Sequence, residues 1–257
     1  MAKWTAFPYA GDYRFDAASV IKSWDRLHAG DLEPLPQDAE VIRAWVHFHN
    51  GDFQKAATLG QSLGCAGTCV ASKATCVYAT YLEKHEPSRL DLFLSVANQA
   101  GALAQRDPAN LNARYWRAYA LGRYSQGISV AKALAQGLGT KVKADLEYVI
   151  RHAPQHADAH VALGSFHAEV IDKVGSLIGA MAYGANKDIG LQLFEQALTL
   201  HDTSSYGLLE YAHAVLMLGG EDMTGEANQL YQRAARTSPV DAAERLDVEM
   251  AKAQLTD

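Results

Sequence analysis

Two consecutive stretches of this 257-residue chain repeat the same alternation of small and aromatic residues at helical offsets. Ala159, Leu163, Gly164 and His167 lead to Gly190, Phe194, Ala197 and Asp202; Tyr211 and Ala212 then lead to Ala227, Tyr231, Ala234 and Pro239. Small residues spaced by three and four lie on one helix face and let a neighbouring helix approach closely, while the aromatic between them fills the space that remains. A unit repeated in this way is one supersecondary element that buries its apolar face only by stacking on the next copy. Pro108 and Pro154 stand between helical segments where Pro239 stands, each ending one helix and opening the next. Farther upstream, Trp45, Phe48, Gly51, Phe53 and Ala56 have the spacing of a helix, a tight turn and a second helix, with Gly51 as the left-handed residue that closes the first.

These spacings resemble the tetratricopeptide repeat, a helix–turn–helix unit of about 34 residues. The phase predicts an all-α fold, a right-handed α-α superhelix of about five helix pairs at 39–64, 71–106, 110–153, 156–201 and 204–238. A cap helix is expected near 241–255, with Asp241 at its start and Leu246, Met250 and Leu255 on its apolar face. Residues 1–38 read as an N-terminal extension with one helix, entered at Asp16, packed on an array formed by 39–257. Ala, Leu, Gln and Glu dominate most segments, so helix propensity outweighs strand propensity over nearly every window.

Two central units are irregular. About a dozen extra residues fall at the inner turn of each, within 122–141 and 168–187. Ile128, Ala131 and Leu134, then Val174, Ile178 and Met181, keep helical spacing, which predicts lengthened helices. Tyr183-Gly184-Ala185-Asn186 reads as a helix break, with Asn186 or Asp188 capping the next helix. Insertions at matched points of stacked repeats emerge on one edge, deepening the groove beside them.

A narrower resemblance rests on Gly139-Thr140-Lys141-Val142-Lys143, on the run from Asp158 to Glu169, and on Ala182-Tyr183-Gly184-Ala185. Together these resemble the regulator-of-microtubule-dynamics proteins and their bacterial relatives, and the tetratricopeptide T component of some TRAP transporters. The resemblance covers about residues 95 to 240. It implies an array whose role is partner binding, with no catalytic residues to carry over. The T component would add a substrate-binding-protein partner and an extracytoplasmic site.

In tetratricopeptide arrays the first helix of each pair lines the concave face. That phase selects Asn112, Tyr115, Tyr119 and Arg123 in one unit, then Asp158, Val161, Ser165 and Glu169, then Tyr206, Leu209 and His213. Tyr, Arg, Asn and His suit an interface, where aromatics give area and Arg gives directed hydrogen bonds. Tyr115 and Tyr119 equally fit a role packed between helices. The expected function is a protein- or peptide-binding scaffold, not an enzyme, with a protein or extended peptide in the groove; the alternative is a small-ligand receptor using the same cavity. Homo-oligomerisation is compatible with the sequence.

Composition narrows the other classes. A net charge of -6, with no basic cluster denser than Lys141 and Lys143, argues against nucleic acid as a partner. No run approaches the roughly twenty apolar residues of a membrane span. The start lacks a signal-peptide core, so the expected compartment is cytoplasmic, or periplasmic where a leader has been removed. Ten histidines raise a metal reading, and His156, His160 and His167 fall one and two turns apart, but Pro154 separates His152 from them. No metal and no cofactor are expected; these histidines read as a junction cap and as polar residues bonded to neighbours. His47 and His49 read as surface or packing residues. Glu169 and Asp172 share a helix face and read as a solvated charge pair. Cys65, Cys69 and Cys76 are an odd set, leaving a Cys65–Cys69 bridge open and Cys76 as a small buried hydrophobe. No P-loop, nucleophile elbow or dinucleotide fingerprint occurs.

Overall fold

Capping side chains and glycines mark most of the helix starts, and helices are the only regular secondary structure among the described residues, 3–255 of a computed structural model. The chain divides into two compact units. The first takes in the residues up to His28, Leu32–Ser129 and Val240–Ala243; the second takes in Ala29–Asp31, Val130–Pro239 and the residues from Glu244. The division falls inside the third expected helix pair.

The first unit opens with α1 (Ala17–Lys22) and α2 (Trp24–Leu27). Asp16 caps α1 as expected, its carboxylate accepting the Ser19 N–H at 2.8 Å while the Ser19 hydroxyl accepts the Asp16 N–H at 2.8 Å. Two hairpins follow: α3 (Ala39–His49) with α4 (Phe53–Ser62), and α5 (Thr68–Tyr81) with α6 (Glu86–Arg106), then α7 (Leu111–Gln126) against α6. The first helices of the pairs, α3, α5 and α7, also touch in succession. Gly51 turns the chain out of α3 at φ +83°, and the Phe7 ring lies over the space its missing Cβ leaves. The α4–α5 turn is closed by Gly60 and Gly67, whose backbones meet too closely for any side chain on Gly67. Trp45 and Phe48 are wholly buried, and the segment before α1 covers this core, with Trp4 stacked on Tyr78 at 4.1 Å. Each such aromatic contributes about 2–3 kcal/mol through its burial.

The second unit holds α8 (Val130–Ala135), α9 (Leu138–His152), α10 (Ala157–Val174), α11 (Ser176–Tyr183), α12 (Lys187–Leu200), α13 (Ser205–Gly219), α14 (Thr224–Arg236) and most of α15 (Ala242–Gln254). The two sequence repeats are its two hairpins, α10 with α12 and α13 with α14. Gly164 and Gly190 face each other across the first: a Cβ on Gly164 would lie 2.7 Å from the Phe194 ring and 3.1 Å from the Gly190 carbonyl. Phe194 is fully buried and stacks on Tyr211 at 4.9 Å with the planes parallel. In the second hairpin Leu208, Ala212 and Val215 meet Ala227, Tyr231 and Ala234. The caps are His156, Asn186 and Ser204, each accepting a backbone N–H from the first turn of its helix.

The inserted segments are helical, as their spacing predicts, but they do more than lengthen existing helices. α10 runs on to Val174, while Gly137, Gly175 and Gly184, all at positive φ, set off α8 and α11 as separate short helices. α15 occupies the expected cap position. Asp241 before it is buried and spends its carboxylate on His49, Oδ2 to Nδ1 2.7 Å, within the first unit.

Candidate functional site

Successive turns of α7 carry the four candidate residues of the first unit, and the packing of that helix decides which of them reach the surface. Asn112 and Tyr115 are buried. The Asn112 amide donates to the Glu33 carboxylate at 2.6 Å, and the Tyr115 ring packs edge-on to Trp116 at 4.8 Å. Tyr119 is half-buried, its hydroxyl 3.2 Å from that of Thr80 on α5. The Arg123 guanidinium lies over the Tyr119 ring at 5.2 Å, a cation–π contact that holds the charge at a fixed place on the surface. Tyr119 and Arg123 therefore form one semi-exposed patch on the α5–α7 face.

In the second unit α10 and α13 lie side by side, and the remaining candidates stand along them. Asp158, Ser165, Glu169, Tyr206 and His213 are all half-buried. The Asp158 N–H donates to the Gly30 carbonyl at 3.0 Å, and its carboxylate sits where a Gly30 side chain would be. The Ser165 hydroxyl donates to Glu210 at 3.2 Å, tying the two helices by polar groups on the face they share. Tyr206 packs on the cluster around Val161 and Phe194, and the His213 ring meets Tyr231 edge-on at 5.7 Å. Carboxylates, hydroxyls, an imidazole and an aromatic ring thus stand along α10 and α13.

The histidines considered for metal are each engaged elsewhere. His156 Nδ1 accepts the Ala159 N–H at 3.1 Å, His160 Nε2 is 2.9 Å from the Pro154 carbonyl, and His167 Nδ1 accepts the Asn186 N–H at 3.2 Å. Burial lowers the pKa of His160 and, aided by Lys143, that of His167 to about 4, so both rings are neutral at pH 7. Among the described residues no group of three His, Cys, Asp or Glu side chains is placed to hold a metal ion. All three cysteines are free thiols; Cys65 is exposed, while Cys69 and Cys76 are buried and burial drives the Cys76 thiol well above its usual pKa.

Two features escape a residue-by-residue reading. His49, two residues from the half-buried His47, is wholly inaccessible and joined to Asp241; its ring stacks on Trp45 at 5.7 Å, and Trp45 also meets His28 edge-on. Nothing local to His49 announces a partner so distant in sequence. The second feature is α11, whose apolar side points outward, with Leu177, Ile178 and Met181 exposed to 75%, 58% and 81%. Two clefts also open in the first unit. One of about 370 Å3 lies among Trp4, Phe7, Tyr13, Asn50 and Gln54; the other, about 650 Å3, lies among Arg43, His47, Lys55 and Thr58. None of the candidate residues on α7 lines either.

No family model and no curated protein matches the chain. Among solved structures it is similar to a thermophilic TPR protein of Thermus thermophilus, with 18% sequence identity and a TM-score of 0.57 over 83% of this chain and 97% of that one. That likeness shows the fold: all-α, of the tetratricopeptide-type α-α superhelical repeat class. No helix among the described residues is long and apolar enough to cross a membrane.

Proposed function

We propose that this chain is a non-catalytic scaffold that binds a protein or an extended peptide along the half-buried polar and aromatic groups of the first helices of its pairs. The Tyr119–Arg123 patch is the binding element of the first unit. The set of Asp158, Ser165, Glu169, Tyr206 and His213 is that of the second. The observation that carries the reading is the side-by-side contact of α10 and α13, bridged by Ser165 and Glu210. Two first helices side by side carry half-buried polar and aromatic groups, to which an extended chain can bond. An Arg held over a Tyr ring loses little freedom on binding, and Tyr and Arg are the side chains that most often dominate interface energy. Within the tetratricopeptide class, the resemblance to regulator-of-microtubule-dynamics proteins and to the TRAP transporter T component favours the same role.

Affinity capture from native cell extract, followed by titration of the captured partner, tests the proposal. The paired variants Arg123→Ala with Tyr119→Ala, and Glu169→Ala with His213→Ala, should each weaken binding roughly tenfold or more while leaving the far-ultraviolet circular dichroism unchanged. Binding unaffected by both pairs would place the interface elsewhere and end this reading.

A further inference from the structure

The segment before α1 lies on the first unit by its aromatic side chains. Of residues 3–16, Trp4, Phe7, Tyr9, Tyr13 and Phe15 are buried or half-buried, and every other residue is exposed. The segment contains neither helix nor strand. Trp4 stacks on Tyr78 of α5 at 4.1 Å, with the ring planes 10° apart. Phe7 fills the notch left by the missing Cβ of Gly51 and meets Phe53 of α4 edge-on at 6.0 Å. Phe15 packs on His49 of α3 at 5.8 Å.

Side chains of the α3–α5 region hold the main chain of this segment. The Trp4 N–H donates to Gln54 Oε1 at 3.1 Å, and the Thr5 N–H donates to the Tyr78 hydroxyl at 3.3 Å. Asn50 clamps Phe15 from both sides, its Oδ1 accepting the Phe15 N–H at 2.7 Å and its Nδ2 donating to the Phe15 carbonyl at 3.0 Å. Hydrogen bonds to a main chain give affinity for many sequences, and pockets for side chains choose among them, as when a protein takes up an extended peptide. Packing beneath the segment is also incomplete. A cleft of about 370 Å3 is lined by residues 3–7 and Tyr13 on one side and by residues 50–55 on the other. A layer integral to a core is packed without such a gap.

We propose that this segment is an intramolecular occupant of a peptide-docking groove on α3–α5, and that it gives way to an extended segment of a partner protein bearing two aromatic side chains three residues apart. That spacing is the one between Trp4 and Phe7, which the Tyr78 ring and the Gly51 notch receive. A tethered segment acts at an effective concentration on the order of millimolar, so the groove is autoinhibited and admits only a partner that outcompetes it. The groove uses residues other than those assigned above to partner binding, and neither assignment depends on the other.

The test uses the full chain and a synthetic peptide of residues 4–13, which contains no Lys or Arg and therefore survives trypsin. Arg14 is exposed, but the bond after it leads into the clamped Phe15, so tryptic cutting there reports release of the segment. Millimolar peptide should speed that cut in wild type roughly fivefold or more, while the same peptide carrying W4A/F7A should not. In fluorescence anisotropy the full-chain variant W4A/F7A, its own segment loosened, should bind the labelled peptide roughly tenfold or more tightly than wild type does. Cutting after Arg14 that wild-type peptide leaves unchanged would overturn the proposal, whether or not the variant folds. So would a variant with wild-type circular dichroism that binds the peptide no better than wild type. A wild-type dimer in sedimentation equilibrium that W4A/F7A dissociates would overturn it too, because the groove then takes the segment of a second copy.

Discussion

The Asn186 backbone N–H donates to Nδ1 of His167 across 3.2 Å, at the turn where α11 gives way to α12. That bond requires an unprotonated Nδ1. Burial, with the Lys143 ammonium nearby, holds the folded pKa at about 4, against about 6.5 for an unfolded histidine. Above pH 6.5 the ring is neutral folded or unfolded and contributes no pH dependence. Between pH 6.5 and 4 the unfolded chain binds a proton that the folded chain refuses, so stability falls with pH. The loss should be on the order of 2–3 kcal/mol by pH 4, with burial of His160 acting in the same direction. Urea unfolding at pH 7 and pH 4.5 should show a steeper decline for wild type than for His167→Gln, and equal declines would refute the assignment.

The crossing of α10 and α12 depends on the absence of a Cβ at Gly164. Gly164→Ala drives a methyl group into Phe194 and should cost about 1–3 kcal/mol. Gly122→Ala is the matched control. It lies within α7 with nothing within 4 Å of the new methyl group, and should stabilise by about 0.5–1 kcal/mol. Melting temperatures that move in opposite directions would verify both.

Thiol chemistry separates the three cysteines. A water-soluble disulfide reagent should label Cys65 rapidly in the native protein and reach Cys69 and Cys76 only on unfolding, because those two are buried. Mass mapping of the labelled peptides reads the outcome, and rapid native labelling of Cys76 would contradict the packing of α5.

Asp241→Ala leaves the buried His49 without its carboxylate and should destabilise by about 3–5 kcal/mol. Asp241→Asn keeps an acceptor oxygen and should cost about 1–2 kcal/mol. An alanine variant within about 0.5 kcal/mol of wild type in urea unfolding would show that the pair contributes little.

Much of this architecture is legible in the sequence because it rests on local rules. Gly164, Gly190 and Phe194 mark one crossing; Ala227, Tyr231 and Ala234 mark the next; Pro108 and Pro154 stand at the turns where one helix ends and another begins. Repeat phase also identifies which helices come first in each pair, among them α10 and α13, which lie side by side. It does not reveal what each side chain meets. Glu33 takes up the amide of Asn112, and Trp116 covers Tyr115, through contacts that periodicity does not encode. Periodicity reports that α11 is apolar but not which of its residues meets the protein; the approach of Gly179 to Val170 decides that. The bond from His49 to Asp241 joins positions 192 residues apart, beyond any local signal.

That separation sets an order on the chain's synthesis. At about 5–20 residues per second, roughly 10–40 s pass between the moment a ribosome adds His49 and the moment it adds Asp241. Throughout that interval Trp45, Phe48 and the helices around them are already available to collapse, while the imidazole in their midst awaits its counterpart. The bond between His49 and Asp241 thus forms only after residue 241 has been translated, and a nascent chain halted in between would lack it.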